Sequence, residues 1–183
     1  MYHSFESVAD NREIRFVLDN ELPETYKVCF DEAEIEKVFF NLLSNAFKFT
    51  PSEGQVTIRV NTVTQAECEL LPHFPAQYSS ILIEAGYLFI EVIDTGKGFS
   101  EQEAEKIFEP FYRSQEDIHR QISGTGIGLS LTRSIILQHN GCIWTESSET
   151  EGTRFMFLLP DTEKQEEGEN ESPVLSKSAE ICK

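Results

Sequence analysis

The chain has 183 residues, a length that suits one domain with a sizeable core. Its formal net charge of -17 disfavours nucleic acid and anionic membrane surfaces as partners, and no apolar run approaches the ~20 residues that a membrane span needs. The four cysteines show neither a CxxC pair nor zinc spacing, so we expect free thiols in a reducing cytoplasm.

The first third of the chain is predicted to contain two short strands and one long helix. Residues 14–18 and 28–30 have the composition of strands and flank a turn. Asp31 with Glu34 has the form of a helix N-terminal capping box. Pro51 marks the end of the helix. Its apolar residues recur at steps of three and four and form one stripe: Ile35, Val38, Phe39, Leu42, Leu43, Ala46 and Phe47.

The middle of the chain alternates between strands and less regular segments. Residues 56–63 alternate apolar and polar side chains, as a half-buried strand does, and 88–93 is a second strand that leads into Asp94. Residues 64–80 contain two prolines and are predicted to be a loop insertion. A short helix is expected over 100–107, followed by a long loop.

The last third is predicted to contain one helix, a hairpin and a tail. The helix covers 128–138 and stops at Asn140-Gly141, and the hairpin strands cover 142–146 and 153–159. Strands and helices do not alternate regularly, which favours an α+β fold, a two-layer sandwich in which helices cover one face of a mixed sheet. Residues 161–183 begin with a carboxylate-rich stretch and are expected to form a disordered tail or linker.

Three polar stretches carry the chemistry, and the first lies on the long helix. Asn41, Asn45 and Lys48 fall within roughly 60° of one another beside the apolar stripe. An Asn carbonyl oxygen can bind a hard cation such as Mg²⁺, and a lysine one turn further on can reach a phosphate. By itself this pattern is more typical of an ordinary solvent-exposed helix surface, because Asn is common there.

The second stretch is Asp94-Thr95-Gly96-Lys97-Gly98 at a strand end. A carboxylate here can accept a hydrogen bond from the exocyclic amine of adenine, whereas guanine presents an oxygen at that place. Glycines allow the backbone to pass close to a base. An Asp-Gly turn without any ligand is the competing interpretation.

The third stretch, Gly124-Thr125-Gly126-Ile127-Gly128, precedes a helix, and backbone N–H groups at a helix start attract phosphate. It follows a loop and ends in Leu129, so it is not the dinucleotide fingerprint GxGxxG. The three stretches together predict a site for a magnesium-bound purine nucleotide.

These motifs resemble the catalytic and ATP-binding domain of bacterial sensor histidine kinases, within the GHKL ATPase superfamily. The resemblance covers roughly residues 5–160, and the motif wording is similar to that of hybrid two-component sensors of the Bacteroides type. Four boxes carry it: Asn41-x-x-x-Asn45 (N box), Asp94-x-Gly96-x-Gly98 (G1 box), Phe108 to Arg113 (F box) and Gly124 to Leu129 (G2 box). A trailing Gly152-Thr153-x-Phe155 is also of family type.

The resemblance implies a role for each matching residue. Asn45 would bind Mg²⁺ with Asn41 supporting the metal shell, Lys48 would contact the outer phosphates, and Asp94 would bind the adenine amine. Asn41 and Lys48 are thus the candidate catalytic residues. The other expected nucleotide contacts are Phe49, Gly96, Gly98, Ile107, Tyr112, Arg113, Gly124, Thr125, Gly126, Ile127, Gly128, Leu129 and Thr153. Residues 109–126 would form a lid over ATP.

The resemblance also implies a domain organisation. Residues 1–12 would be the end of an upstream helical linker, 13–160 the kinase domain, and the phosphoacceptor histidine would lie on a missing helical hairpin. The expected partners are that hairpin and a receiver domain or response regulator. A cytoplasmic monomer that binds ATP without phosphorylating itself is expected, with membrane anchoring of a longer protein left open.

Three alternative functions remain at this point. One is a GHKL ATPase that hydrolyses ATP to drive a conformational change, and another is a docking module that binds nucleotide without activity. The third is an anti-sigma-factor kinase acting on serine, which shares the boxes, although Phe108 to Arg113 fits sensor kinases better. Asn41 stands where gyrase-type relatives have a water-activating glutamate, which favours phosphotransfer over hydrolysis. The intact glycines of the G1 and G2 boxes argue against a degenerate site.

Overall fold

A computed structural model of the chain describes residues 2–104, 106–114 and 124–161. Its strands are β1 (Arg15–Asn20), β2 (Gln55–Thr64), β3 (Gly86–Asp94), β4 (Cys142–Ser148) and β5 (Gly152–Pro160). Its α-helices are α1 (Tyr2–Arg12), α2 (Glu32–Phe49), α3 (Gln65–Cys68), α4 (Glu101–Ala104) and α5 (Gly128–Gln138). Short 3₁₀ helices cover Ala76–Ile81 and Lys106–Phe108.

The five strands form one mixed sheet in the order β1-β2-β3-β5-β4. β1 pairs with β2 in parallel, and the other three pairings are antiparallel. Helices α2 and α5 pack on one face of this sheet. The expected two-layer α+β sandwich is therefore confirmed.

Helix α2 forms where the apolar stripe predicts it. Asp31 is its N-cap, and the Asp31 carboxylate accepts a hydrogen bond from the Glu34 backbone N–H at 3.1 Å. Thr50 has an extended backbone, as expected for a residue that precedes Pro51, and ends the helix. Six residues of the predicted stripe are buried: Ile35, Val38, Leu42, Leu43, Ala46 and Phe47.

The sheet is covered on both faces, by different parts of the chain. The main core lies between the helices and one face, where β3 contributes Leu88, Ile90 and Val92. On the opposite face, Tyr87 and Phe89 of β3 join a second apolar group, the outer cluster. Its other buried members are Cys68, Tyr78, Leu82, Cys142, Trp144, Met156 and Leu158.

The predicted loop insertion supplies much of the outer cluster. Residues 64–80 contain α3 and the start of a 3₁₀ helix, and they bury the side chains of Cys68 and Tyr78. The indole N–H of Trp144 donates to the Pro72 carbonyl oxygen at 3.0 Å. Such short helical turns carry too few residues to produce a periodic signal in the sequence.

Other predicted elements are correct, corrected or outside the described residues. The strand predicted over 28–30 is wrong, because this segment runs irregularly into the N-cap of α2 while β1 pairs with β2. The helix expected over 100–107 is split into α4 and the 3₁₀ helix Lys106–Phe108. Residues 115–123 of the expected lid and 162–183 of the expected tail lie outside the described residues. Among the helices described, none combines the length and apolar character of a membrane span.

Candidate nucleotide-binding site

Asn41, in the middle of α2, faces the start of α5. Its amide nitrogen donates to the Gly128 carbonyl oxygen at 3.3 Å and to the Thr132 hydroxyl at 3.4 Å. A methyl group at Gly128 would lie 3.3 Å from the Asn41 amide oxygen. The N box and the end of the G2 box are therefore in direct contact, although 87 residues separate them along the chain.

The C-terminal turn of α2 brings two cations to one aromatic ring. The ammonium nitrogens of Lys48 and Lys97 lie 4.8 and 5.6 Å from the centroid of the Phe49 ring. The Lys48 ammonium would also lie 3.4 Å from a Cβ atom at Gly124. Positive charge is thus concentrated between the G1 loop and the first glycine of the G2 stretch, where a phosphate chain would be favoured.

Asp94 closes the other end of the site, at the last position of β3. Its residue is 4% exposed, and its carboxylate accepts a hydrogen bond from the Gly96 N–H at 2.8 Å. Burial raises the pKa of Asp94 to about 6, against the opposing effect of backbone N–H groups of Gly96 and Thr153. A buried acceptor at a strand end is suited to a directional contact with a base.

The G1 glycines are required by close approaches. A methyl group at Gly96 would lie 2.8 Å from the Phe49 carbonyl oxygen, so the G1 loop is pressed against the end of α2. Gly98 has a φ of 61°, and a methyl group there would collide with the Ser148 carbonyl oxygen. The loop that follows Asp94 is thus packed against α2 at Gly96 and against β4 at Gly98.

Ser147 is a functional candidate that sequence reasoning missed. Its hydroxyl donates to the Gly152 carbonyl oxygen at 3.0 Å, accepts from the Phe99 N–H at 2.9 Å and lies 3.1 Å from the Thr153 hydroxyl. Thr153 itself is buried and directly opposite Asp94 in the sheet. No sequence motif marked Ser147, because its partners come from two other segments, at Phe99 and at Gly152-Thr153.

The F box forms the base of the expected lid. Phe108 is buried and packs edge-on against Phe155 with centroids 6.2 Å apart. The Phe111 N–H donates to the Gly126 carbonyl oxygen at 2.8 Å, which joins the two ends of the lid segment. The Tyr112 hydroxyl donates to the Glu103 carboxylate at 3.2 Å.

The remaining predicted residues are distributed around this base. Ile107 and Leu129 pack against the main core as half-buried side chains, and Arg113 is half-buried. Thr125 and Ile127 are exposed. Their side chains are therefore accessible to a ligand.

One line of contacts along α2 unites these parts. Asn41, Asn45 and Phe49 are spaced by four residues and share one helix face. Asn41 touches Gly128 at one end, the Phe49 carbonyl abuts Gly96 at the other, and half-buried Asn45 lies between them. The N, G1 and G2 boxes hence meet along this face of α2, and we call the region that they border the cleft. A separate crevice of about 210 Å³, lined by residues such as Cys29, His139 and Pro160, contains none of the predicted site residues.

The side chains around this cleft can be tested for their fit to a metal ion. Among the described residues, no group of three His, Cys, Asp or Glu side chains could hold a metal ion. A single Asn amide oxygen is a suitable but weak ligand for Mg²⁺, which commonly keeps waters and phosphate oxygens in its shell. The Asn45 side chain therefore fits an ion delivered with a nucleotide.

Comparison with known proteins identifies related sequences. The family described as histidine kinase-, DNA gyrase B- and HSP90-like ATPase matches residues 30–163. The chain is 32% identical over 145 residues to the sensor histidine kinase WalK of Bacillus subtilis (strain 168), which covers 79% of this chain and 21% of WalK. It is 35% identical over 158 residues to the sensor kinase CckA of Brucella abortus (strain 2308), covering 86% of this chain and 16% of CckA. The chain thus spans about a fifth or less of these relatives.

Solved structures share the fold. The nucleotide-free catalytic domain of the histidine kinase ThkA has a TM-score of 0.66 and 27% identity, with 87% of each chain covered. The chain is also similar to ThkA in its complex with the response regulator TrrA, with a TM-score of 0.62, 27% identity, and 88% and 38% of the two chains covered. The likeness therefore extends over most of the chain.

Proposed function

Because the chain belongs to the histidine kinase-, DNA gyrase B- and HSP90-like ATPase family, we propose that it is the part of a two-component sensor histidine kinase that binds ATP and presents its γ-phosphate. The phosphate would pass to a histidine on a separate domain. The observation that carries the proposal is the line of contacts along α2, which joins Asn41 to Gly128 and Phe49 to Gly96.

The cleft has two chemically distinct ends, and each suits one end of ATP. Asp94 is buried and would accept the adenine amine, with Thr153 beside it. Lys48 is exposed next to Gly124 and would contact the outer phosphates. Asn45 lies one turn before Lys48 on α2 and would bind Mg²⁺, which neutralises phosphate charge when bound.

The other proposed contacts surround these three. Phe49 would stack near the base, and the backbone of the G2 stretch would donate to the phosphates. Ile107 and Leu129 would line the adenine end, and Tyr112 and Arg113 would approach the nucleotide from the lid. Gly96 and Gly98 would allow the G1 loop to pass close to the base.

The residues of the cleft favour phosphotransfer over hydrolysis. Asn41 cannot act as a general base, and its amide nitrogen already donates to Gly128. Catalysis by this domain would rest on positioning and charge neutralisation. In the transfer, a histidine nitrogen forms a bond to the γ-phosphorus while the bond to the β,γ-bridging oxygen breaks, and ADP leaves.

The acceptor histidine would come from another domain. Two histidines have described side chains, and both are engaged elsewhere. His73 lies 3.1 Å from the Glu146 carboxylate, and His139 accepts the Asp31 N–H at the far end of α5. A helical hairpin that carries the acceptor, and a response regulator that receives the phosphate, are the proposed partners of a monomeric kinase domain.

Calorimetric titration with ATP, in the presence and absence of Mg²⁺, tests the proposal. We expect binding that requires Mg²⁺ and a strong preference for ATP over GTP, because guanine offers no amine to Asp94. Equal affinity for the two nucleotides would contradict the role of Asp94. Steady phosphate release by this chain alone would support the alternative, an ATPase that drives a conformational change.

A further inference from the structure

Helix α1 contacts α2 in a way that the nucleotide site does not use. Arg12, in the last turn of α1, donates hydrogen bonds to the carbonyl oxygen of Phe47 and, at 3.1 Å, to that of Thr50. These carbonyls flank Lys48 and Phe49. We propose that Arg12 is a positioning residue for the nucleotide site and that α1 thereby sets the affinity for ATP.

The sequence of α2 creates a need for this contact. In a continuing helix the Phe47 carbonyl would accept the N–H of residue 51, but residue 51 is proline and has no N–H. The guanidinium of Arg12 supplies the missing donor. A cation at a helix C-terminus is also favoured by the helix dipole. Arg12 therefore stabilises the last turn of α2, where Pro51 leaves the Phe47 carbonyl without a donor from the helix itself.

Other contacts tie α1 to the same turn. The rings of Phe5 and Phe47 stack with centroids 5.5 Å apart and an interplanar angle of 11°. After α1, the Glu13 carboxylate accepts from the Ser52 hydroxyl at 2.8 Å, and the Glu13 carbonyl accepts from the Glu53 N–H at 2.9 Å. The end of α1 and the end of α2 are thus connected through both side chains and backbone.

The turn held by Arg12 carries the cationic end of the proposed site. The Lys48 ammonium is adjacent to Gly124, and the Phe49 carbonyl is in contact with the G1 loop at Gly96. Loss of the Arg12 bonds would let this turn fray and would loosen the placement of the Lys48 ammonium, whereas Asp94 is held at the end of β3. Arg12 itself bonds to the α2 backbone, so it would affect the site by holding this turn in place.

The inference rests on the proposed function, since it concerns affinity for ATP. It also implies the reverse effect. If docking of α1 strengthens ATP binding, then ATP binding strengthens docking of α1 by the same factor. Any event that rotates α1 away from α2 would lower the affinity for ATP.

Three variants test the role of Arg12. Arg12→Gln removes the charge and the forked donor, and Arg12→Lys keeps the charge and a donor. Arg15→Gln is the matched control, because Arg15 is an exposed arginine three residues further on. Calorimetry gives the Kd for Mg²⁺ and a non-hydrolysable ATP analogue, and hydrogen exchange reports protection of the amides of residues 47–50.

We expect Arg12→Gln to raise Kd roughly 3- to 10-fold, a size typical of residues that couple two sites. Exchange in the last turn of α2 should accelerate without nucleotide, Arg12→Lys should restore most of the affinity, and Arg15→Gln should change neither. An Arg12→Gln protein that is folded and keeps the wild-type Kd would overturn the inference alone. A wild-type chain that does not bind the analogue would overturn the proposed function and the inference together.

Discussion

Asp94 links the stability of the fold to the proposed recognition of adenine. Burial raises its pKa from an ordinary value of 3.8 to about 6. Since the folded-state pKa lies above the unfolded value, the folded protein binds this proton more tightly than the unfolded chain does. The ionised carboxylate consequently destabilises the fold near neutral pH, by up to about 3 kcal/mol, and this cost disappears as the pH falls through 6 towards 3.8.

The variant Asp94→Asn isolates this effect, because Asn has nearly the same shape and does not ionise. We expect the free energy of unfolding of the wild type to rise by roughly 1 to 2 kcal/mol relative to that of the variant when the pH falls from about 7.5 to about 5. This pH range lies above the pI of about 4.5, where a net charge near zero promotes precipitation. Urea unfolding of both proteins at each pH measures the difference in their free energies of unfolding. Any effect of the substitution that does not depend on pH cancels in this comparison.

The affinity of the wild type for ATP, in contrast to its stability, should fall as the pH falls. At about pH 5, roughly one tenth of the wild-type carboxylates are ionised, so the advantage of the wild type over Asp94→Asn in ATP affinity should shrink about tenfold. The phosphates of ATP titrate in the same way with both proteins, so they do not affect the ratio of the two affinities. A stability difference that is independent of pH over this range would refute the argument that Asp94 is an ionised, buried group at neutral pH.

Four further outcomes are expected. Lys48→Gln should weaken ATP binding roughly tenfold but leave adenosine binding unchanged, as measured by calorimetry with both ligands. Asn45→Ala should remove the Mg²⁺ dependence of ATP binding in the same assay. Gly98→Ala should lower stability by more than about 1 kcal/mol, because it forces a side chain into a left-handed φ of 61° against Ser148; Gly86→Ala, whose methyl group would have its nearest neighbour at 3.7 Å, is the control in thermal unfolding. The chain incubated alone with radiolabelled ATP should gain no acid-labile phosphate, and stoichiometric labelling would contradict a separate acceptor domain.

Local patterns in the sequence were sufficient to predict the elements that build the cleft. The apolar stripe of α2 and the strand that delivers Asp94 both depend on residues close together in the chain, and the structure confirms them. The four boxes contained enough matching residues to indicate the family. The direct contact of Asn41 with Gly128 follows from packing of α2 on α5, which no local pattern encodes.

The features that sequence reasoning missed depend on contacts between distant segments. Arg12 and Pro51 look unrelated in the sequence, yet one supplies the donor that the other lacks. The insertion looked like a loop, because the apolar residues that it covers, such as Trp144, belong to strands far along the chain. The segment 28–30 has strand-like composition but pairs with none of the five strands in the described part of the chain.

The two covered faces of β3 lead us to expect that the proposed adenine end of the cleft is the more rigid end. Side chains of β3 alternate between the main core and the outer cluster, and Tyr87 to Val92 are all buried. On the outer face, buried Glu91 bonds with Arg59 of β2 at 3.0 Å and approaches Arg154 of β5 at 3.6 Å, so charged groups also join the strands.

A strand held from both faces and by both neighbours has little freedom to move the group at its end. Asp94 is therefore a fixed reference point, whereas Lys48 depends on a single helical turn that Arg12 completes. Because the two ends of ATP would be bound by parts of such different rigidity, a change transmitted through α1 should alter the grip on the phosphates and leave recognition of the base intact. The Arg12→Gln protein should accordingly lose affinity for ATP but keep its preference for ATP over GTP. Loss of that preference together with the affinity would show that α1 supports the whole cleft.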